Sequence, residues 1–393
     1  MLSRKNIAQW LLGCFFVITV IAPAVTGNKL LFVVLSTWLL ADMLFTRAPE
    51  VRLVTSPVII FTIFFYGFVL SRFNLVDEVL ALQFLLSVLI LFQICFIRRY
   101  RINVDMLIMI SSCAMVVATA LLWCATFVPD MPMASQILDF MQMYSFSAYS
   151  EREFFEDATI SLHLGTAPIL FVGFAIFAKR FCQARRLIDL MLMVATVLAI
   201  LLSASRGIIV GAGLILMILF LLYAPRRVRL KIGVAFVLLL GFGLYEAINS
   251  STLLSASEDS NAGKFGHLQS FFDQLTIGSM LFGRGLAHLY YSVGAGGLKS
   301  NTEITPMDMA RYFGFPLALV LFFAILFPVR TVSSYVHEHS TDFLIFIIYL
   351  LLSFANPILF NSMGMLVVLW YWSKIYAVHD NRHVAPTGAA VRC

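Results

Sequence analysis

Charge is scarce in this chain: Asp, Glu, Lys and Arg make up 12% of its 393 residues, about half the share found in an ordinary soluble domain. Hydrophobic residues make up 61% and the mean hydropathy is +0.93. That balance excludes a water-soluble globular fold and makes lipid the main solvent. Strands with the weak period-two alternation of membrane barrels are missing as well. In hydrocarbon each backbone N–H and C=O must find its partner within the element, so the long apolar runs read as helices and the fold class as all-α.

Motifs for metal, nucleotide or nucleophile chemistry are also missing. No set of His, Cys, Asp and Glu has metal-ligand spacing, and neither a Walker-type loop nor a nucleophile elbow occurs. Neither a metal nor a cofactor is expected. Cys14, Cys95, Cys113 and Cys124 lie in apolar runs, and Cys182 and Cys393 flank basic segments, which reads as free thiols and not as a disulfide framework. The net charge of +6 is spread in short clusters at the ends of apolar runs, so it marks topology and not a nucleic-acid surface. Internal repeats and inverted pairs of broken helices are not evident, which weighs against a transporter.

What the chain does contain is a regular series of apolar runs. At roughly 17–25 residues per crossing, about twelve spans are expected. They fall near Ile7–Val25, Leu30–Phe45, Pro57–Phe73, Val79–Ile97, Val104–Phe127, Ala158–Ala178, Leu187–Ser203, Gly207–Tyr223, Leu230–Ile248, Tyr312–Val329, Phe343–Asn356 and Ile358–Ala377. Residues 1–393 would thus form a single polytopic membrane domain. The first run follows Arg4 and Lys5 but ends without a small-residue cleavage site, so it is expected to remain as a helix. The second and eleventh are short, and Asn356–Pro357 marks a kink or a half-helix. With the N-terminus inside, most basic residues, among them Arg98, Arg99, Lys179, Arg180, Arg226, Arg227 and Lys374, fall on the cytoplasmic side, and both termini are expected there. Two long segments, 128–157 and 249–305, then lie outside, and loops of that length commonly carry function.

Several residues on the outer side have two readings each. Arg206, in Ser203-Ala204-Ser205-Arg206-Gly207, is a snorkelling arginine that caps a hairpin, or an anion contact beside the positive end of the helix starting at Gly207. In the major loop Phe265, Leu268, Phe271, Phe272 and Leu275 recur at helical spacing. A short amphipathic helix on the outer leaflet is expected there, with Lys264, His267 and Gln269 on its polar face as solvated side chains or as contacts to a ligand. Leu281-Phe282-Gly283-Arg284-Gly285-Leu286 is a plain turn or a weak phosphate loop. Further on, Pro306 suits the first turn of a helix, which puts Glu303 just ahead of its N-terminus and Asp308 and Arg311 on adjacent surface. Glu303 is then a helix cap or a general base beside arginines. The run Glu151–Asp157 reads as a solvated loop edge, and His163 as a satisfied helix residue.

The order of these features resembles the O-antigen polymerase (Wzy) family, within the O-antigen ligase and polymerase superfamily of membrane glycosyltransferases. Four of them carry the resemblance, over roughly Leu187–Val329: the Ser205-Arg206-Gly207 turn opening a span, the long outer loop, the Leu281–Gly285 glycine turn, and the loop-to-helix ending Arg311-Tyr312-Phe313-Gly314. The resemblance implies a bacterial inner-membrane enzyme whose active site is periplasmic, and which polymerises oligosaccharide repeats carried on undecaprenyl diphosphate. Its partners would be the lipid-linked donor and acceptor, the bilayer and a membrane chain-length regulator.

By the same resemblance Arg206 and Arg311, with Lys264 or Arg284, would neutralise the departing diphosphate, and Glu303 would deprotonate the acceptor hydroxyl in a metal-independent, inverting transfer. His267 on the polar helix face, Tyr290 and Tyr291 would contact the glycan or its diphosphate. The ligases of the superfamily carry a His-Asn pair where this chain has Glu303, which tilts the reading from ligase, with lipid A-core as acceptor, toward polymerase. A flippase or other transporter is the alternative outside the enzymes.

Overall fold

The computed structural model describes residues 3–23, 26–45, 55–127, 147–153, 158–164, 167–203, 205–223, 259–302, 304–329, 340–354 and 356–384, with isolated positions between them. Its elements are α1 (Arg4–Ile21), α2 (Thr26–Phe45), α3 (Thr55–Ser71), α4 (Glu78–Val88), α5 (Gln93–Tyr100), α6 (Val104–Phe127), β1 (Ser147–Glu153), β2 (Ala158–Leu164), α7 (Pro168–Ala184), α8 (Leu187–Leu202), α9 (Arg206–Tyr223), α10 (Asp259–Asp273), α11 (Ile277–Phe282), β3 (Tyr290–Ser292), β4 (Gly297–Lys299), α12 (Thr305–Leu326), α13 (Ser340–Ser353) and α14 (Ser362–Val384). This is an α-helical membrane protein.

Among the described residues, four helical stretches are long and apolar enough to cross a bilayer: Arg4–Ile21, Glu78–Tyr100, Val104–Ala125 and Thr305–Leu326. The second of these joins α4 to α5 through one 3-10 turn, Leu89–Phe92. Thr55–Ser71, Leu187–Leu202, Gly207–Tyr223 and Ser340–Ser353 are apolar but shorter. These helices do not by themselves make up the expected twelve crossings, and the expected span Leu230–Ile248 lies outside the described residues.

The expected span Ala158–Ala178 is corrected by the structure. Ala158–Leu164 is a strand, paired antiparallel with Ser147–Glu153 in the register Ser147↔Leu164 to Glu153↔Ala158. Ala-Thr-Ile-Ser-Leu-His-Leu alternates small or polar with apolar residues, a period of two that suits a strand and not a helix. The same finding corrects His163, which is a strand residue. Helix α7 starts only at Pro168, whose fixed φ and missing N–H suit a first turn. Pro168 to Ala178 are all buried, as expected of a helix apolar on every side.

Contacts divide the bundle into two ends. At one end sit four of the carboxylate–cation pairs. Arg99 Nε meets Asp42 at 2.9 Å, Lys179 meets Asp342 at 2.6 Å, Arg180 meets Asp189 at 3.0 Å, and Lys374 pairs with Asp105. Near the same end Tyr371, Trp372 and Tyr376 of α14 donate to the carbonyls of Leu326, Ile325 and Pro328, where α12 finishes. At the other end lie the start of α9, the start of α12 and the end of α13. Thr305 Oγ1 donates to the Asn356 carbonyl, and a Cβ added to Gly207 would lie 3.2 Å from the Asn356 amide. Asn356–Pro357 therefore separates two helices, α13 and α14.

Asp342 is 3% exposed, and it ties α13 to α7. Asp342→Ala is expected to leave the Lys179 ammonium without its partner and to destabilise the protein by about 3 kcal/mol. Thermal unfolding in detergent measures this, and a midpoint equal to wild type would count against it.

Candidate functional site

The site is built where α12 is broken. Gly314 interrupts the helix with φ 78° and ψ 160°, and Pro316 follows it inside the helix. Pro316 has no N–H to offer the carbonyl of Tyr312, four residues back. The glycine turn supplies what the helix lacks. Arg284 N–H donates to the Arg311 carbonyl at 2.8 Å, and Gly285 N–H to the Tyr312 carbonyl at 3.0 Å. Two segments that are far apart in sequence, Gly283-Arg284-Gly285 and Arg311–Gly314, are thus one structural unit.

The rest of the turn is fastened to α3 and to the loop after it. Leu286 N–H donates to the Gly67 carbonyl, Asp77 N–H to the Ala287 carbonyl, and Leu289 N–H to the Leu75 carbonyl. Ser71 Oγ donates to the Leu286 carbonyl and Tyr66 OH to the Phe282 carbonyl, each at 2.9 Å. Arg284 consequently projects from a rigid platform.

Over this platform lie α10 and the β3–β4 hairpin. Strand alternation turns Tyr290 and Ser292 inward, at 3% and 0% exposure, and Tyr291 outward at 56%. His267 of α10 shares its Nδ1 with Tyr290 OH at 2.8 Å and Ser292 Oγ at 2.6 Å. Phe265, Leu268 and Phe272 of the same helix are exposed, as are Ile277, Leu281 and Phe282 of α11, whereas Phe271 is buried. The Leu281 carbonyl lies against the Gly314 break, and α12 beyond the break also exposes Phe315, Leu319 and Phe323.

Between the layers is a pocket lined by Ser270, Phe271, Gln274, Arg284, His288 and Arg311, with Leu275, Ser279 and Tyr290 at its edge and a free volume of about 20 Å³. That is room for one water molecule. Arg311 is 6% exposed. One guanidinium nitrogen, Nη2, donates to Asp308 at 2.9 Å and to the Ser300 carbonyl, and the group stacks on Tyr290 with Cζ 4.1 Å from the ring centre. Its Nε and Nη1 are buried without a hydrogen-bond partner among the described residues. Arg284 gives one N–H to the Gln274 carbonyl at 2.9 Å.

Asp308 corrects the expectation of an exposed pair beside the helix. It is 3% exposed, and its carboxylate also accepts the Thr302 N–H at 2.9 and 3.1 Å, so it holds the loop entering α12. His288 is held neutral, its pKa lowered to about 4 by burial and then by the Arg311 and Arg284 charges.

Of the residues singled out from sequence, Arg284, Arg311 and Tyr290 meet at this pocket, and His267 orients Tyr290 from behind. Lys264, one turn before His267, is half-buried and off the lining, and Tyr291 faces away. Arg206 opens α9 at the same end of the bundle, though its side chain lies outside the description. Glu303 itself is outside the described residues, while its neighbours Thr302 and Ile304 are placed beside the pocket loop. The helix N-cap is Ile304 and makes no side-chain cap hydrogen bond. Sequence reasoning passed over His288 and Gln274. The one available signal for His288 was an imidazole inside the apolar run Leu286-Ala287-His288-Leu289.

Two guanidiniums, one with nitrogens unpaired among the described residues, beside a neutral imidazole and a single carboxylate have the chemistry to hold an anion. This chain is similar to an O-antigen polymerase. That protein, from Shigella flexneri, is 27% identical over 187 residues, and the match covers 45% of this chain and 45% of the relative's own length. No family model matches the chain. The chain therefore aligns with less than half of the curated relative, and its activity is argued from its own residues.

Proposed function

We propose that this protein polymerises oligosaccharide repeat units carried on a lipid diphosphate, as its similarity to an O-antigen polymerase suggests, at the outer face of the bacterial inner membrane. One observation carries the reading: Arg284 and Arg311 converge on a single pocket at the end of the bundle where α9 and α12 begin. The acceptor hydroxyl attacks the anomeric carbon of the donor. The bond from that carbon to the diphosphate oxygen breaks with its electron pair, and the diphosphate leaves with one more negative charge. Arg284 and Arg311 face that charge, and fixed cations where charge develops lower a barrier more than they tighten ground-state binding.

Glu303, one residue after the buried Thr302, takes the hydroxyl proton, and attack from the face opposite the leaving group inverts the anomeric centre. The carrier is undecaprenyl diphosphate, and Arg206 supplies a further cation from the start of α9.

The test is the ladder of surface glycan lengths in the native strain carrying Arg284→Gln or Glu303→Gln. Each variant is expected to lower chain extension about 100-fold, the loss typical for one group that stabilises developing charge, leaving core capped by single repeats. Cores without any repeat would identify a ligase. Full-length ladders at wild-type protein levels would overturn the assignment of the site.

A further inference from the structure

His288 has no role in the transfer just described, yet it lines the same pocket as Arg284 and Arg311. It is 7% exposed, and its Nδ1 has no hydrogen-bond partner among the described residues. The backbone pins it on both sides: Asp77 N–H donates to the Ala287 carbonyl, Leu289 N–H donates to the Leu75 carbonyl, and Val76 bridges to His288 itself. The imidazole lines the pocket from a backbone that is held on both sides, with one nitrogen unsatisfied among the described residues. Unpaired buried nitrogens on Arg311 and on His288 at one pocket give it both donors and an acceptor for a ligand's polar atom.

We propose that His288 is the proton-accepting member of this anion pocket: a phosphate-type dianion seated at its mouth puts one oxygen into the water-sized space between Arg284, Arg311 and His288, and brings with it one proton from solvent, which resides on the His288 imidazole. The inference rests on reading the pocket as the diphosphate site. Burial first, and then the groups around it, set the charge of His288. From α12 come Arg311, its partner Asp308 and Tyr312; from the glycine turn comes Arg284; from β3 comes Tyr290, with His267 of α10 behind it; from the start of α4 come the Asp77 backbone and its capping carboxylate. Asp308 already offsets one guanidinium, so the protein's own groups leave a net positive field there, which adds to burial in keeping a third cation off the ring.

A dianion reverses that field. The ring, held neutral at a pKa of about 4 among the protein's own groups, then gains by protonation, and an imidazolium N–H donates to the ligand oxygen. Because the bound state holds more protons than the free state, affinity rises as pH falls. In the proposed transfer the departing diphosphate carries the larger negative charge, so the proton on His288 is held most firmly at that stage.

The experiment uses the full chain in detergent micelles and sulfate as probe, which stays a dianion throughout the neutral range. Sulfate affinity, read from the rise in thermal midpoint with concentration, is expected to strengthen by up to about tenfold between pH 7 and pH 6 in wild type, the limit for one linked proton. His288→Gln should bind sulfate with no more than a small change over that range. Equal pH dependence in wild type and His288→Gln overturns the inference while leaving the pocket intact. Sulfate binding that survives in Arg284→Gln and Arg311→Lys overturns the pocket reading itself.

His288→Asn provides a second variant if Gln disturbs folding. The ring's own titration, followed by NMR of labelled histidine with and without sulfate, gives the same answer directly: an unmoved pKa rejects the proposal. Competition separates the sources of the anion, since farnesyl diphosphate displacing sulfate at lower concentration than inorganic pyrophosphate assigns it to a lipid headgroup. The reverse order assigns it to a free diphosphate.

Discussion

Arg311→Ala is expected to abolish chain extension and to destabilise the protein by about 3–5 kcal/mol, the range for removing one partner of a buried ion pair. Both effects come from one guanidinium. Nη2 neutralises Asp308 and ties down the Ser300 carbonyl, the planar face stacks on Tyr290, and Nε and Nη1 have no hydrogen-bond partner among the described residues, which is where the proposed anion would bind. Truncation strands the Asp308 carboxylate, which is 3% exposed, and weakens its hold on the Thr302 loop through the two bonds it accepts there.

Two further variants separate stability from function. Arg311→Lys keeps the charge, but an ammonium on a flexible stem does not stack as a plane and bond three groups in the same geometry. It should recover part of the stability and little of the activity. The double variant Asp308→Asn with Arg311→Gln removes both charges, so its thermal midpoint should exceed that of Arg311→Ala while glycan length stays at single repeats. Wild-type ladders in the double variant would show that Arg311 holds the loop and nothing more.

Gly314→Ala should give a structural effect at least as large, a loss of about 4 kcal/mol or more, of the size seen only for changes with a specific structural cause. At φ 78° and ψ 160° the backbone is in a region open essentially to glycine alone. An added Cβ would lie 2.5 Å from the Leu281 carbonyl oxygen, and that contact is backbone, which cannot step aside. Relief would require separating α11 from α12, which breaks the bonds from Arg284 and Gly285 to the Arg311 and Tyr312 carbonyls. The two arginines would no longer share a pocket.

Gly283→Ala meets the same obstacle from the other side, with φ 75° and a Cβ 2.4 Å from the Tyr312 carbonyl oxygen. Gly278→Ala is the control: it is helical, has nothing within 4 Å, and should be neutral or gain up to about 1 kcal/mol from better helix propensity. Folded yield after size-exclusion chromatography in detergent distinguishes these variants. Gly314→Ala eluting as wild type with an unchanged midpoint would refute the account of the break.

Composition alone determined that this protein lives in a membrane and is built of helices, because lipid leaves a chain that is 61% hydrophobic few ways to satisfy its backbone. Local chemistry determined some boundaries: Pro306 in the first turn of α12, the break at Asn356–Pro357, and the apolar spacing of α10. It misled at Ala158–Leu164, where mean hydropathy suggested a span but the period-two alternation belonged to a strand. It was silent on His288, since a single imidazole in an apolar run has no periodic signature. Only the tertiary structure decided that Arg284 and Arg311 belong to one pocket and that Asp308 is buried behind them. The residues concerned are 27 positions apart, and nothing in either stretch encodes the other. What joins them is a helix broken at Gly314, whose freed carbonyls must find donors, and the glycine turn is the segment able to come close enough to provide them.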